Sequence, residues 1–290
     1  MSQKSIIAPD TSVLNRLVKD VDPEPFIAAI LSSYSVCLPE MSFEEILATR
    51  DPELRGKLMR ICQRLLKVGY CIQPAHWVID LHMKAFHGDP TRYDWRNVNV
   101  RAAEIEEEIR RGDFVNDAIL VEQQATELRR LQDEFEGFFQ KSTRTTGVPS
   151  SFEEWLVESK ATDGSFWNTA RLLYEGAFGS TSAIDKSATL ASSPDEATLK
   201  SFLDACPPVR AYVYALELTL YDRSLRPLKA PAYKAGRNDQ MMAVFLPYCD
   251  LFLTNDGGQE KSLREAALKA GVPVEVRSYN DFCASLIITA

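Results

Sequence analysis

Two blocks of strand–helix alternation, one at each end of the chain, constrain this fold more than any other feature. Short apolar runs at residues 5–9, 35–38 and 69–72 read as strands, and segments of helical spacing at 39–49 and 51–67 lie between them. Toward the other end, 251–253 and 272–276 read as strands. Residues 262–270 and 279–285 read as helices, and 240–248 as an apolar helix before them. Such alternation favours a parallel sheet with helices on its faces. From about residue 75 to about 225 strand signals are scarce and helical spacing dominates. The expectation is an α/β chain with a short, mostly parallel sheet. Its sheet-bearing domain is discontinuous, 1–74 plus 235–290, and a mostly helical insertion or cap, 75–234, interrupts it.

Each apolar run near a chain end is followed by an acid. Ile6-Ile7-Ala8-Pro9 leads to Asp10-Thr11-Ser12. Val36-Cys37-Leu38-Pro39 leads into a helix that carries Glu45. Leu251-Phe252-Leu253 leads to Thr254-Asn255-Asp256, and Asn238-Asp239 opens the apolar stretch before that last strand. Ligands of parallel α/β sheets bind outside the carboxyl ends of the strands, so acids placed there from distant parts of the chain converge. Several carboxylates in one cleft raise each other's pKa, and a hard divalent cation with oxygen ligands relieves the repulsion. A Mg²⁺ or Mn²⁺ site, and hence phosphoryl chemistry, is the expectation.

Composition narrows the partners. The 290-residue chain carries a net charge of −8, so no global basic field exists to hold duplex nucleic acid. Its six cysteines (Cys37, Cys62, Cys71, Cys206, Cys249 and Cys283) form no Cys-x-x-Cys pair, which argues against zinc and for reduced thiols in a cytoplasmic protein. No signal peptide precedes the first strand, and no run approaches the length of a membrane span, so no membrane partner is expected.

The four acids and their neighbours resemble the PIN-domain family of metal-dependent ribonucleases. The features that carry the resemblance are Asp10 before Thr11-Ser12, Glu45 on a helix opened by Pro39-Glu40, Asp239 at a helix start, and Asp256 after Thr254-Asn255. The likeness covers roughly residues 5–72 and 235–285 and leaves out the helical middle. It implies a PIN-like fold and a Mg²⁺/Mn²⁺-dependent endonuclease that hydrolyses phosphodiester bonds of RNA. A narrow acidic cleft suits a single strand better than a duplex. In that reading Asp10, Glu45, Asp239 and Asp256 are the catalytic and metal-holding residues. Thr11, Ser12, Asn238, Thr254 and Asn255 support them through hydrogen bonds. Glu44, adjacent to Glu45, is the alternative for the second acid. Many relatives are toxin components, so an antitoxin-like protein partner belongs among the expectations.

A second feature bears on substrate. Arg223, Arg226, Lys229, Lys234 and Arg237 occur with no acid between Arg223 and Arg237, and Tyr233 offers a stacking surface. Lys229, Tyr233, Lys234 and Arg237 are therefore candidates to bind a nucleic-acid backbone. The plainer reading is a solvated connection. His76, His82 and His87 share no helix face at their spacings and read as ordinary histidines. Asp10-Thr11-Ser12 also reads as a helix N-cap. Two rival functions remain. One is a binding module that keeps the fold with little or no hydrolytic activity, against which the four intact acids stand. The other is a haloacid-dehalogenase-like phosphohydrolase, which the absence of Asp-x-Asp-x-Thr at Asp10 opposes.

Overall fold

Asp250 shows how the sheet begins. Its carboxylate accepts the Ile6 N–H at 2.7 Å, which pins the start of one central strand to the start of its neighbour. In the computed structural model, residues 4–20, 22–112, 117–161, 164–175, 194–225 and 236–288 are described. Five strands, β1 (Ser5–Pro9), β2 (Tyr34–Pro39), β3 (Gly69–Ile72), β4 (Leu251–Thr254) and β5 (Glu275–Ser278), form one sheet in the order β3-β2-β1-β4-β5. Every pairing is parallel, with Ile7 opposite Val36 on one side and opposite Leu251 on the other.

Parallel pairing demands crossover connections, and the helices supply them. On the N-terminal side these are α1 (Thr11–Lys19), α2 (Glu24–Ser33), α3 (Glu40–Leu47) and α4 (Pro52–Leu65). The middle contributes α5 (Ala75–Gly88), a 3₁₀ turn (Trp95–Asn97), α6 (Ala103–Arg111), α7 (Ala118–Ser142), α8 (Phe152–Ser159), α9 (Ser165–Tyr174), α10 (Glu196–Ala205) and α11 (Pro207–Leu225). After them come α12 (Arg237–Met241), a 3₁₀ segment (Met242–Tyr248), α13 (Gly257–Ala270) and α14 (Tyr279–Ile288).

Alternate strand residues face opposite sides of a sheet. Ile7, Val36, Leu38, Cys71, Leu251 and Leu253 pack against α1–α4 and α14. Ala8, Cys37, Ile72, Phe252 and Val276 join a second cluster that runs through α5, α7–α11, the 3₁₀ segment and α13. Both faces are covered, which is why the strands read as continuous apolar runs. The helical middle thus shares a core with the sheet. α11 is its axis: Tyr212, Val213, Leu216, Glu217 and Leu220 are all buried, and a helix that is apolar on most sides belongs inside.

Two elements differ from their sequence reading. The apolar stretch expected as one helix at 240–248 is a short α-helix followed by 3₁₀ turns. Pro247 lacks the N–H that an α-helix would use to bond back four residues. The last strand is shifted to Glu275–Ser278. Its ladder opens where the Glu275 N–H bonds Asp250 O at 3.0 Å, beyond Pro273. Five of the six thiols are buried and Cys283 is half-buried. Among the described residues no helix is long and apolar enough to cross a membrane.

Candidate functional site

The strand order reverses at β1. The chain moves outward from β1 to β2 and β3 on one side and to β4 and β5 on the other. That switch point, at the carboxyl ends of the strands, is where open α/β sheets form a ligand crevice. Asp10 is the first residue past β1 and Asn255-Asp256 the first past Thr254 of β4, so both acids stand on the two lips of the crevice. α3, which carries Glu45, leaves the carboxyl end of β2, and α5 leaves that of β3.

A hydrogen-bonded ladder joins the lips. Ser12 Oγ donates to Asp10 Oδ1 at 2.7 Å and accepts the Asn255 N–H at 2.6 Å. Thr254 Oγ1 accepts the Asp256 N–H at 3.0 Å and donates to Gln259 Oε1 at 2.6 Å. Ser12 Oγ and Thr254 Oγ1 stand 3.2 Å apart, within hydrogen-bonding distance, and either hydroxyl can be the donor. Gln259 Nε2 then donates to Asp239 Oδ1 at 3.3 Å. Asp239 Oδ2 reaches back to the Gly236 N–H at 2.8 Å and so caps α12. On the far wall Asn238 Nδ2 donates to Glu45 Oε1 at 2.7 Å and Arg237 Nη1 to Asn238 Oδ1 at 3.2 Å. The Arg237 backbone N–H is held by Gln132 of α7 at 2.8 Å.

Two acids also cap helices. Asp10 Oδ1 accepts the Val13 N–H at 3.0 Å, and Asp256 Oδ1 accepts the N–H groups of Gly258 and Gln259 at 2.8 and 2.9 Å. Asp10 is 3% exposed. Burial pushes its carboxyl up to about 6, the charge of Glu45 adds to that, and the bonds from Ser12 and Val13 oppose it. Burial raises Glu44 to about 7, with Glu45 and Glu127 adding and Arg237 opposing. Glu40 rises to about 8 through burial and then through Glu44 and Glu108, and its Oε2 is buried without a partner. Thr11 Oγ1 and Ser42 Oγ are likewise buried and unsatisfied.

Of the expected residues, Asp10, Ser12, Glu45, Asn238, Asp239, Thr254, Asn255 and Asp256 belong to the ladder or its far wall. Arg237 sits beside them. Lys229, Tyr233 and Lys234 lie outside the described residues. Arg223 is committed elsewhere, with two 2.8 Å bonds to Glu136 of α7. Gln259 has no place in the sequence reading, Glu40 enters it only as part of Pro39-Glu40, and His76 reads there as an ordinary histidine. Gln259 stands three residues past an acid, as an N3 glutamine does in a capping box, and that was its only local signal. His76 opens α5, and burial together with Arg237 presses its imidazole down to about 4.

The donor set fits a hard cation in its chemistry. Carboxylates within Coulombic reach of one another are what an oxygen-ligated divalent ion relieves. Asp10, buried, and Glu45, half-buried, are such a pair, and the orphaned carboxylate oxygen nearby in the chain belongs to Glu40. The arrangement is less complete than the chemistry, since among the described residues no group of three or more His, Cys, Asp or Glu side chains is gathered to hold a metal ion. Asp239 and Asp256 direct oxygens to helix caps instead.

Fold and site together define an α/β protein with a five-stranded parallel sheet and a hydrogen-bonded cluster of acids at its switch point. No protein-family model matches the chain, and no curated protein or solved structure matches it.

Proposed function

We propose that this chain is a PIN-like, Mg²⁺/Mn²⁺-dependent endoribonuclease that hydrolyses phosphodiester bonds of single-stranded RNA. The observation that carries the proposal is the ladder at the switch point, which ties Asp10 from the first strand to Asp239 and Asp256 from the far end of the chain. In this reading Asp10 and Glu45 hold the cation, with Asp239 and Asp256 completing its shell. A divalent ion so held supplies an activated water and neutralises charge on the phosphoryl oxygens. Ser12 keeps Asp10 Oδ1 oriented, Asn238 does the same for Glu45, and Gln259 steadies Asp239. Arg237, which bonds Asn238 beside Glu45, meets the negative charge of the scissile phosphate. A toxin-like role with an antitoxin-like protein partner belongs to the same proposal.

A second reading has its own support. The capping duties of Asp239 and Asp256 leave no gathered metal cluster among the described residues, which suits a PIN-like binding module with little or no hydrolytic activity. End-labelled single-stranded RNA incubated with Mn²⁺ or with EDTA separates the two. The nuclease reading expects cleavage that EDTA abolishes and that Asp10→Asn and Glu45→Gln each reduce by at least about 100-fold. RNA that binds but stays intact under every metal condition favours the module.

A further inference from the structure

Three of the four tryptophans are accounted for by packing. Trp155 and Trp167 are buried. Trp95 is half-buried, lies edge-on to Tyr248 at 5.6 Å, and carries the Arg96 guanidinium over its ring at 4.9 Å. Trp77 is the exception, with 54% of its surface in water. It sits in the first turn of α5, five residues past the carboxyl end of β3, on the rim of the sheet that bears Asp10. Adjacent strands are about 4.8 Å apart, so the end of β3 lies about 10 Å to the side of the end of β1. Ala75, Val78, Ile79 and His82 turn to the core, which leaves His76 and Trp77 on the outer face of the helix. The two rings are neighbours, with centroids 6.3 Å apart. His76 lies within Coulombic reach of Arg237, which bonds Asn238, which bonds Glu45. The exposed indole thus neighbours an imidazole that lies within Coulombic reach of Arg237, and Arg237 reaches Glu45 through Asn238.

An exposed aromatic face beside a cation is the pattern by which proteins hold unpaired bases without reading their sequence, because every base offers a π-face. We propose that Trp77 is a stacking platform for a nucleobase of a single strand whose backbone continues past Arg237 into the crevice. The inference rests on the nuclease reading for the direction of that strand, but the stacking contact does not require hydrolysis. A duplex keeps its base faces covered and cannot use the platform.

Because Trp77 is the one well-exposed tryptophan, its emission reports the contact directly. The full-length protein is titrated with short oligouridylate and with a duplex of the same length, in Ca²⁺ to screen the acids. Affinity is followed by anisotropy of a labelled strand and stacking by quenching of tryptophan emission. Mn²⁺-dependent hydrolysis of bis(p-nitrophenyl) phosphate, which has no nucleobase, serves as the independent reading of the crevice. Single strand should quench wild-type emission and duplex should not. Trp77→Ala should weaken single-strand binding by about 5- to 100-fold. Trp77→Phe should retain affinity within about 3-fold yet lose most of the quenching. Neither variant should alter phosphodiester hydrolysis. Unchanged affinity in Trp77→Ala overturns the platform, and so does equal quenching by duplex. A change of oligomeric state on removing the indole overturns it as well, since the ring then serves a protein contact. Hydrolysis without any oligonucleotide binding sinks this inference and spares the nuclease reading. Quenching and affinity loss without hydrolysis does the reverse.

Discussion

Asp10 carries two duties that pull its ionisation in opposite directions. As the cap of α1 it accepts the Val13 N–H and the Ser12 hydroxyl, and both bonds favour the charged form. Burial wins, and the carboxyl rests near 6 against an ordinary 3.8. The folded protein therefore binds this proton more tightly than the unfolded chain. Between those two values the native state carries the extra proton, so this residue's contribution to stability grows as pH falls from above 6 toward 4, and it is unfavourable at pH 8. At about 1.4 kcal/mol per pKa unit, the ionised side chain costs about 3 kcal/mol in the metal-free protein. Asn at this position keeps an oxygen for both caps and discards the charge. Urea denaturation in EDTA should find Asp10→Asn more stable than wild type by about 1–3 kcal/mol at pH 8, and the advantage should vanish near pH 4. A mutant no more stable at pH 8 would mean that Asp10 is not strained by its surroundings. Gaining stability while losing cleavage is the expected mark of an acid retained for chemistry. At Glu45 the issue is which of two adjacent acids faces the crevice. The Asn238 bond belongs to Glu45, whereas Glu44 lies under the influence of Arg237 and Glu127.

At the scale of elements, α13 poses the same conflict in a separable form. Asp256 accepts two N–H groups of the first turn, and Gly271 closes the other end at φ 64°, a left-handed position that suits glycine. Removing the cap with Asp256→Ala should cost about 1 kcal/mol, while Asp256→Asn, which still accepts, should stay within about 0.5 kcal/mol of wild type. Thermal or urea unfolding measures both. If the Asn variant is as stable as the parent yet cannot cleave, the carboxylate acts on the substrate side. If cleavage follows stability alone, Asp256 is a cap and nothing more. These elements also show what a sequence can disclose. Strands β1–β4 were legible because a strand buried on both faces leaves an uninterrupted apolar run, and Asp10 and Asp256 stood out because each closely follows such a run. Pro273 and Pro247 displaced the last strand and broke the expected helix, through backbone N–H groups that composition alone does not weigh. Gln259 and His76 acquire their roles only from tertiary neighbours. The Gln132 that holds Arg237 comes from α7, more than a hundred positions away in the chain, and no local pattern announces it.

For the whole molecule the decisive point is the second face of the sheet. Ala8, Cys37, Ile72 and Phe252 turn toward the layer of the 3₁₀ segment and α13, and they share one contiguous apolar cluster with Leu216, Tyr212 and Val213 of α11, which packs on that layer. Buried polar ties cross the same region. Glu217, fully buried, accepts from Trp155 Nε1 at 2.9 Å and from Ser165 Oγ at 2.8 Å, joining α11 to α8 and α9. Arg223 joins α11 to α7 through Glu136 and lies over the Phe139 ring at 4.5 Å. Chain order makes residues 75–234 an interruption, but burial joins their helices to the layer of α13 and the 3₁₀ segment that lies on this face of the sheet, with α11 packed against both. Leu216 is 1% exposed, and Leu216→Ala should cost about 3 kcal/mol in lost transfer energy and cavity formation. If the helices and the sheet form one cooperative unit, that loss reaches β1, although Leu216 is remote from it in sequence. Amide hydrogen exchange of Ile7 and Ala8 should then lose protection by the same free energy as the global unfolding transition. Exchange in β1 that stays at its wild-type level, while the α11 amides become labile, would show that the middle unfolds on its own and the sheet survives without it.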